Sequence, residues 1–347
     1  MMQRLHNRIR HRSRWIMVFL ICLLSVALAG ALSVGSVAIP FSMVAEMLWH
    51  WLGGTSLGQF PASAVDILFT IRLPRVLLVA LTGAALSASG AAYQGLFRNS
   101  LADPYIIGVA SGAGLGAMVA VLAGPVSWFG TIAMPVGAFS GAIIVVLAVT
   151  VAAQRRRERA TQDMILAGVA IGTLASALTT FLMIRAGRQA GQLLAFLLGS
   201  ASSVGWEAVR IVTVCIVIGL TCLVIAARDL NVLLLSEEQA DLLGIDVRRV
   251  RVLVIFGATL MTAAAVAFHG LIGFVGIIVP HALRLLFGGD NRTLVPFAAI
   301  FGALFLLSAD VLARTLQAPV EIPLGIVTAC IGSPVFLALL LRRNRGL

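Results

Sequence analysis

Long apolar runs alternate with short polar stretches along the whole chain, and the run lengths are those of bilayer-crossing helices. A crossing takes about 17–25 predominantly apolar residues. That criterion predicts spans over about 15–34, from Arg72 to a polar break at 98–104, and then over 104–122, 128–153, 164–184, 208–227, 252–268, 272–287, 295–314 and 324–341, about ten in all. The apolar stretch 191–200 is too short to cross and reads as interfacial or re-entrant. Between the first two spans, residues 40–66 carry Trp49, Trp51 and the Pro61 break, and 41–51 are amphipathic at helical spacing. They predict an outer interfacial segment with an aromatic belt.

Side-chain size adds a second layer to this pattern. Between Gly83 and Ala92 nearly every side chain is small, which lets neighbouring helices approach closely where no hydrophobic force acts between them. The second span is therefore expected at the centre of its bundle. At its end, Asn99, Ser100 and Asp103 can cap backbone groups, and Pro104 is placed to open the next helix. The longest polar loop, 228–251, predicts a helix of its own. Ser236 and Gln239 have capping-box spacing, Glu237 and Glu238 suit a helix N-terminus, and Gly244 can supply a left-handed stop. Ala240, Leu242 and Leu243 then form a small apolar patch that suits a groove on a partner protein, the plainer alternative being a solvated loop helix.

Composition places the whole chain in the membrane. The 347 residues are 60% hydrophobic and 11% charged, with a mean hydropathy of +1.04. We expect one all-α polytopic domain over 1–347, with no soluble domain. The run at 15–34 is longer than a signal-peptide core and predicts an uncleaved first span behind a cytoplasmic tail, 1–14. The net charge of +11 lies in short stretches between spans, so it reads as a topology signal and not as a nucleic-acid surface. With both termini inside, only Arg72, Arg75, Arg185, Arg188, Arg210 and Arg314 fall outside.

The basic residues are all arginine. A chain without lysine has neither the P-loop lysine of a nucleotide site nor a Schiff-base amine. Cys22, Cys215, Cys222 and Cys330 lie in apolar runs without a C-x-x-C pair, and no set of residues has metal-ligand or catalytic-triad spacing. His281 beside Pro280 could bind an iron or a haem, or could satisfy backbone at a kink; His269 has the same two readings. Asp310 and Arg314 stand four apart and can pair on one helix face.

Several stretches, taken in order, carry a resemblance. They are RLPR at 72–75, GAALSASGAAYQ at 83–94, RNSLADP at 98–104, GVASGAG at 108–114, GLIGFVGIIVPHALR at 270–284 and EIPLGIVTACIGSPVF at 321–336. Together they resemble the permease subunits of the ATP-driven importer family that takes up ferric siderophores, haem and cobalamin. The resemblance covers essentially the whole chain.

It implies a homodimer in the bacterial inner membrane, with two ATPase subunits below and one periplasmic substrate-binding protein above. No cofactor would be bound by this chain, and ATP and magnesium would belong to the ATPase. Glu237, Ala240 and Gly244 match the coupling helix that docks on the ATPase. Asn99 and Leu101 match one cytoplasmic gate, and Thr161 and Gln162 the other, with Ser100 standing where the family usually has proline. Arg72, Arg75 and Arg314 match positions that meet carboxylates on the binding protein; lipid headgroups are the alternative partners. The passage would run between the two copies, lined by Gly83, Ser87, Gly90 and Gln94. A ferric siderophore is the first expectation for the cargo, with haem or cobalamin second. An ATPase-independent carrier or a membrane-embedded enzyme is the reading from another class, disfavoured because the spans carry almost no ionisable residues besides Asp310.

Overall fold

The computed structural model describes residues 2–35, 37–124, 132–153, 160–200, 205–235 and 237–343. The expected start of the fourth span near Trp128, the arginines at 155–157 and 159, and the capping residue Ser236 lie outside these residues. Regular structure among the described residues is helical throughout: α1 (Met2–Ser33), α2 (Phe41–Leu52), α3 (Ala62–Asp66), α4 (Leu73–Leu96), α5 (Val109–Ala123), α6 (Ala133–Ala153), α7 (Ala160–Arg185), α8 (Ala190–Leu197), α9 (Trp206–Leu233), α10 (Glu237–Leu242), α11 (Val247–His269), α12 (Val275–Phe287), α13 (Asn291–Thr315) and α14 (Leu324–Arg343). Helices α1, α6, α7, α9, α11 and α13 are long and apolar enough to cross a membrane, α5, α12 and α14 are shorter apolar helices, and α4 completes the expected set. The protein is an all-α polytopic membrane protein.

Helix α4 is the axis, packed by α9, α11, α12 and α13. Only Arg75, Leu77, Leu81 and Ala84 escape full burial along its length. The small residues explain how. A Cβ on Gly90 would collide with the Gly276 carbonyl of α12, and one on Gly83 with the Gly302 carbonyl of α13. Backbones in direct contact maximise dispersion and cost little side-chain entropy, which substitutes for the absent hydrophobic drive between lipid-soluble helices. A polar seam fixes α4 against α11: Thr82 Oγ1 lies 2.9 Å from His269 Nδ1, Ser89 Oγ donates to the Ala258 carbonyl at 3.2 Å, and Tyr93 Oη lies 3.1 Å from Thr259 Oγ1.

Two expected spans differ from the pattern. Pro104 does not open α5; turns cover 104–107, Gly108 takes φ +87°, and the helix begins at Val109. Pro104 is instead buried against the bare face of Gly276. The stretch 272–287 becomes helical three residues later than expected. Residues 270–274 are non-helical, and the 13-residue α12 rises only about 20 Å, against a hydrocarbon core of roughly 30 Å.

Candidate coupling and gating site

The two ends of the bundle differ in their polar chemistry. At one end α10 packs against α9 and α11 through Ala240, which is fully buried, while Leu242 and Leu243 are 87% and 65% exposed. Gly244 closes the helix with φ +78°; Ile245 N–H donates to the Ala240 carbonyl at 3.0 Å and Gly244 N–H to that of Asp241 at 2.9 Å. This is the left-handed stop expected from the sequence. Nothing lies within 4 Å of a Cβ at Gly244, so the conformation, not space, demands glycine there.

Glu237 does more than begin a helix. Its Oε1 accepts from Thr161 Oγ1 at 3.0 Å and from Arg251 Nη2 at 2.8 Å. One carboxylate oxygen therefore ties α10 to the first turn of α7 and the first turns of α11. Sequence reading placed Thr161 in a gate and Glu237 in a coupling helix as separate features; the structure joins them. Arg251 was missed as a site residue because it lies in a basic run that topology already explained. Gln162, beside Thr161, is exposed.

The 97–108 hairpin lies at the same end. Asn99 Oδ1 accepts from Leu101 N–H at 3.0 Å, and Asp103 Oδ1 from Tyr105 N–H at 2.8 Å, so two Asx turns shape the segment that holds Ser100. Burial raises the Asp103 carboxyl to about 6. Tyr105 then reaches into the bundle, donating its hydroxyl to the Ile272 carbonyl at 3.0 Å and accepting from Ile272 N–H at 3.2 Å. That closes part of the break between α11 and α12. The end of α8 meets another part: the Phe196 carbonyl accepts from Leu271 N–H at 3.1 Å, and the neighbouring Leu198 carbonyl accepts from Gly325 N–H of α14 at 3.2 Å. The short apolar stretch is thus re-entrant in effect. Non-helical backbone at this depth is tolerated because protein groups satisfy it. Tyr105, Leu197, Leu198, Gly273, Gly325 and Cys330 border an open cavity of about 430 Å³ there.

The opposite end carries the arginines. Arg72, closing one π turn at Ile67–Arg72, donates to the Leu32 carbonyl at 2.9 Å and to the Val37 carbonyl. Arg314 donates to the Val34 carbonyl at 2.6 Å and to that of Ala31 at 3.2 Å, and its Nε meets Asp310 Oδ2 at 2.8 Å. Asp310 Oδ1 takes Arg75 at 3.1 Å, and Arg75 also pairs with the exposed Glu321 at 2.8 Å. The expected Asp310–Arg314 pair is present. Of the three arginines matched to the binding protein, Arg72 and Arg314 are buried and hold the carbonyl end of α1, where orphan acceptors need donors. Arg75 alone keeps appreciable exposure.

The residues expected to line the passage, Gly83, Ser87, Gly90 and Gln94, are all buried inside the single chain, with Gln94 Nε2 donating to the Ile277 carbonyl at 3.1 Å. The small Gly83, Ser87 and Gly90 let neighbouring helices pack closely on α4. Exposed apolar surface is spread over several helices, among them α1, α6, α9, α7 (Leu166, Val169, Leu174, Phe181) and α14 (Ile326, Val335, Leu337). Among the described residues no group of three or more His, Cys, Asp or Glu converges to hold a metal ion.

Comparison with known proteins places this architecture. The model of the FecCD transport family matches residues 20–342. The ABC transporter permease protein YvrB of Bacillus subtilis is 38% identical over 99% of both chains. The hemin transport permease HmuU of Yersinia pestis is 35% identical over 96% of this chain and 98% of its own. The cobalamin import permease BtuC of Halobacterium salinarum is 44% identical over 82% of this chain and 76% of its own. A solved metal-chelate type ABC transporter in an inward-facing conformation superposes with a TM-score of 0.82 at 30% identity, covering 95% of this chain and 99% of that one. With the family match spanning nearly the whole chain, and two of these relatives matched over 96% or more of it, this protein belongs to the FecCD transport family and is an ABC transporter permease.

Proposed function

We propose that two copies of this chain form the membrane passage of an ATP-driven importer for a ferric siderophore or a similar iron chelate. Two ATPase subunits would bind at the α10 end, in the cytoplasm with both termini, and one substrate-binding protein at the Arg75 end. The observation that carries the reading is the shared oxygen of Glu237. A partner moving the exposed Leu242–Leu243 face of α10 would pull on α7 through Thr161 and on α11 through Arg251. Without lysine the chain holds no P-loop, so hydrolysis belongs to the partner.

The exposed faces of α7 and α14 suit the seam with the second copy. Helix α14 also walls the open cavity beside Tyr105, so a bulky chelate would pass between copies and not through one bundle. The Arg75–Glu321 pair supplies the exposed charge at the binding-protein face, with Arg72 and Arg314 fixing its base. Cobalamin is the second reading for the cargo, favoured by the 44% identity to a cobalamin import permease. Uptake of labelled ferric siderophore, haem and cobalamin in cells lacking their own permease tests both. Accumulation of the iron chelate alone is expected; accumulation of cobalamin alone transfers the assignment, and accumulation of none overturns the importer role.

A further inference from the structure

A charged mouth and an apolar shaft share one cleft of about 870 Å³ between α6 and α11, beginning at the α10 end. Ile143, Val146 and Leu147 of α6 face Ile255, Phe256 and Leu260 of α11 along the shaft. From Val247 to Leu260 the α11 wall rises about 20 Å, enough to pass from the surface beyond the middle of a hydrocarbon core roughly 30 Å thick. Leu147, Val252 and Phe256 are each more than half exposed, so the cleft opens sideways, toward the bilayer.

Glu237, Asp241, Asp246, Arg248 and Arg251 surround the mouth. Two of the carboxylates are already used. Glu237 is paired with Arg251, and Asp246 caps α11 by accepting from Arg249 N–H at 3.0 Å. Among the described residues Asp241 and Arg248 have no ion-pair partner, and Arg251 Nε is buried without a hydrogen-bond acceptor. The cleft thus asks for one anionic oxygen group, one cation able to donate hydrogen bonds, and a long apolar chain.

We propose that this cleft is a binding site for a zwitterionic phospholipid with a primary ammonium head, of the phosphatidylethanolamine type. Its phosphate sits between Arg248 and Arg251 Nε, its ammonium donates to Asp241, and one acyl chain fills the groove between α6 and α11. A purely anionic head leaves Asp241 without a counter-charge and adds net negative charge beside three carboxylates. A trimethylated head brings a cation that has no N–H to give.

The test uses the purified full chain, stripped of lipid in detergent and returned to phosphatidylethanolamine, phosphatidylcholine or phosphatidylglycerol of identical acyl chains. Native mass spectrometry counts retained lipid, and thermal unfolding reports the stabilisation that any ligand of the folded state confers. Phosphatidylethanolamine is expected to be retained best and to raise Tm most. Arg248→Ala and Asp241→Asn should each weaken it about tenfold, the equivalent of one charge-assisted hydrogen bond. Asp241→Asn should also erase the preference over phosphatidylglycerol. Leu147→Trp, filling the shaft from an exposed position, should weaken all three lipids, and circular dichroism identifies any variant that has lost its helices. Equal shifts for the three lipids, a preference for phosphatidylglycerol, or folded variants that bind like the parent would overturn the assignment. Retention of none of the three would mean that protein, not lipid, covers the cleft.

Discussion

Two carboxylates, one at each end of the bundle, each gather two partners, and burial makes them different devices. Asp310 shares its two oxygens between Arg75 and Arg314 with its side chain 2% exposed. Glu237 shares one oxygen between Arg251 and Thr161 with its side chain 30% exposed. In the first, desolvation of the ions makes every member dependent on the others, so the cluster is a staple holding α4, α13 and the end of α1. In the second, water reaches the Glu237 carboxylate although the Arg251 side chain is only 13% exposed, and the tie breaks at a smaller cost than the first. The same chemistry fixes one end and leaves the other free to move.

The largest effect should come from the buried cluster. Asp310→Ala leaves the buried Arg314 without its carboxylate and Arg75 with Glu321 alone, an expected loss of about 3–5 kcal/mol, read as lost expression and a lower Tm in detergent. A variant as stable as the parent would erase the distinction between the ends. Next comes Gly244→Val. Forcing a β-branched residue to φ +78° costs roughly 1–2 kcal/mol locally. Uptake should fall sharply while insertion into the membrane and Tm stay near the parent values; parental uptake would detach the α10 end from coupling.

Smaller in stability, and more telling in function, is the exchange of Glu237 and Arg251. Each single reversal, Glu237→Arg or Arg251→Glu, should cost no more than about 1 kcal/mol of stability. Each should lower cargo moved per ATP hydrolysed by about tenfold, and the double exchange should restore part of it, which a merely local packing role would not produce. The smallest effect concerns Asp103, which has burial but no ion-pair partner among the described residues. A carboxyl raised to about 6 binds its proton more tightly in the folded chain, so the stability it contributes is full at low pH and is lost as pH rises through about 6. Hydrogen exchange in the 99–106 hairpin should slow between pH 7 and pH 5 beyond the intrinsic pH effect, and Asp103→Asn should remove that difference.

What the sequence disclosed follows the range of each interaction. Span positions depend on runs of neighbours, so hydropathy located them, and the small residues of 83–92 correctly marked α4 as central. The stop at Gly244 is equally local. Pro104 misled because a proline suits a helix start in isolation, whereas here its ring is spent on Gly276, 172 positions away and invisible to any window. The gap between the expected spans 252–268 and 272–287 marked the break, but its extension through Ile272 and Phe274 escaped because those residues keep the hydropathy high. The roles of Arg72 and Arg314 depend on carbonyls of α1, and that of Arg251 on Glu237 and Thr161. Such pairings have no periodicity, so a basic residue at a span end looks the same whether it faces lipid, a partner or the interior.

The break between α11 and α12 has a consequence for how the chain is made. Its exposed amide and carbonyl groups at 271 and 272 are satisfied by Phe196 and Tyr105, both of which leave the ribosome earlier, and the same turn of α8 later receives Gly325. The 13-residue α12 is too short to rest alone across a bilayer, so it has a settled place only after α8 and the Tyr105 hairpin are already in the membrane. Biogenesis therefore has a direction: the first two hundred residues form a template, and the later ones dock onto it. A cut or a pause in synthesis between α8 and α11 would leave that template with unfilled acceptors, a natural signal for quality-control proteolysis.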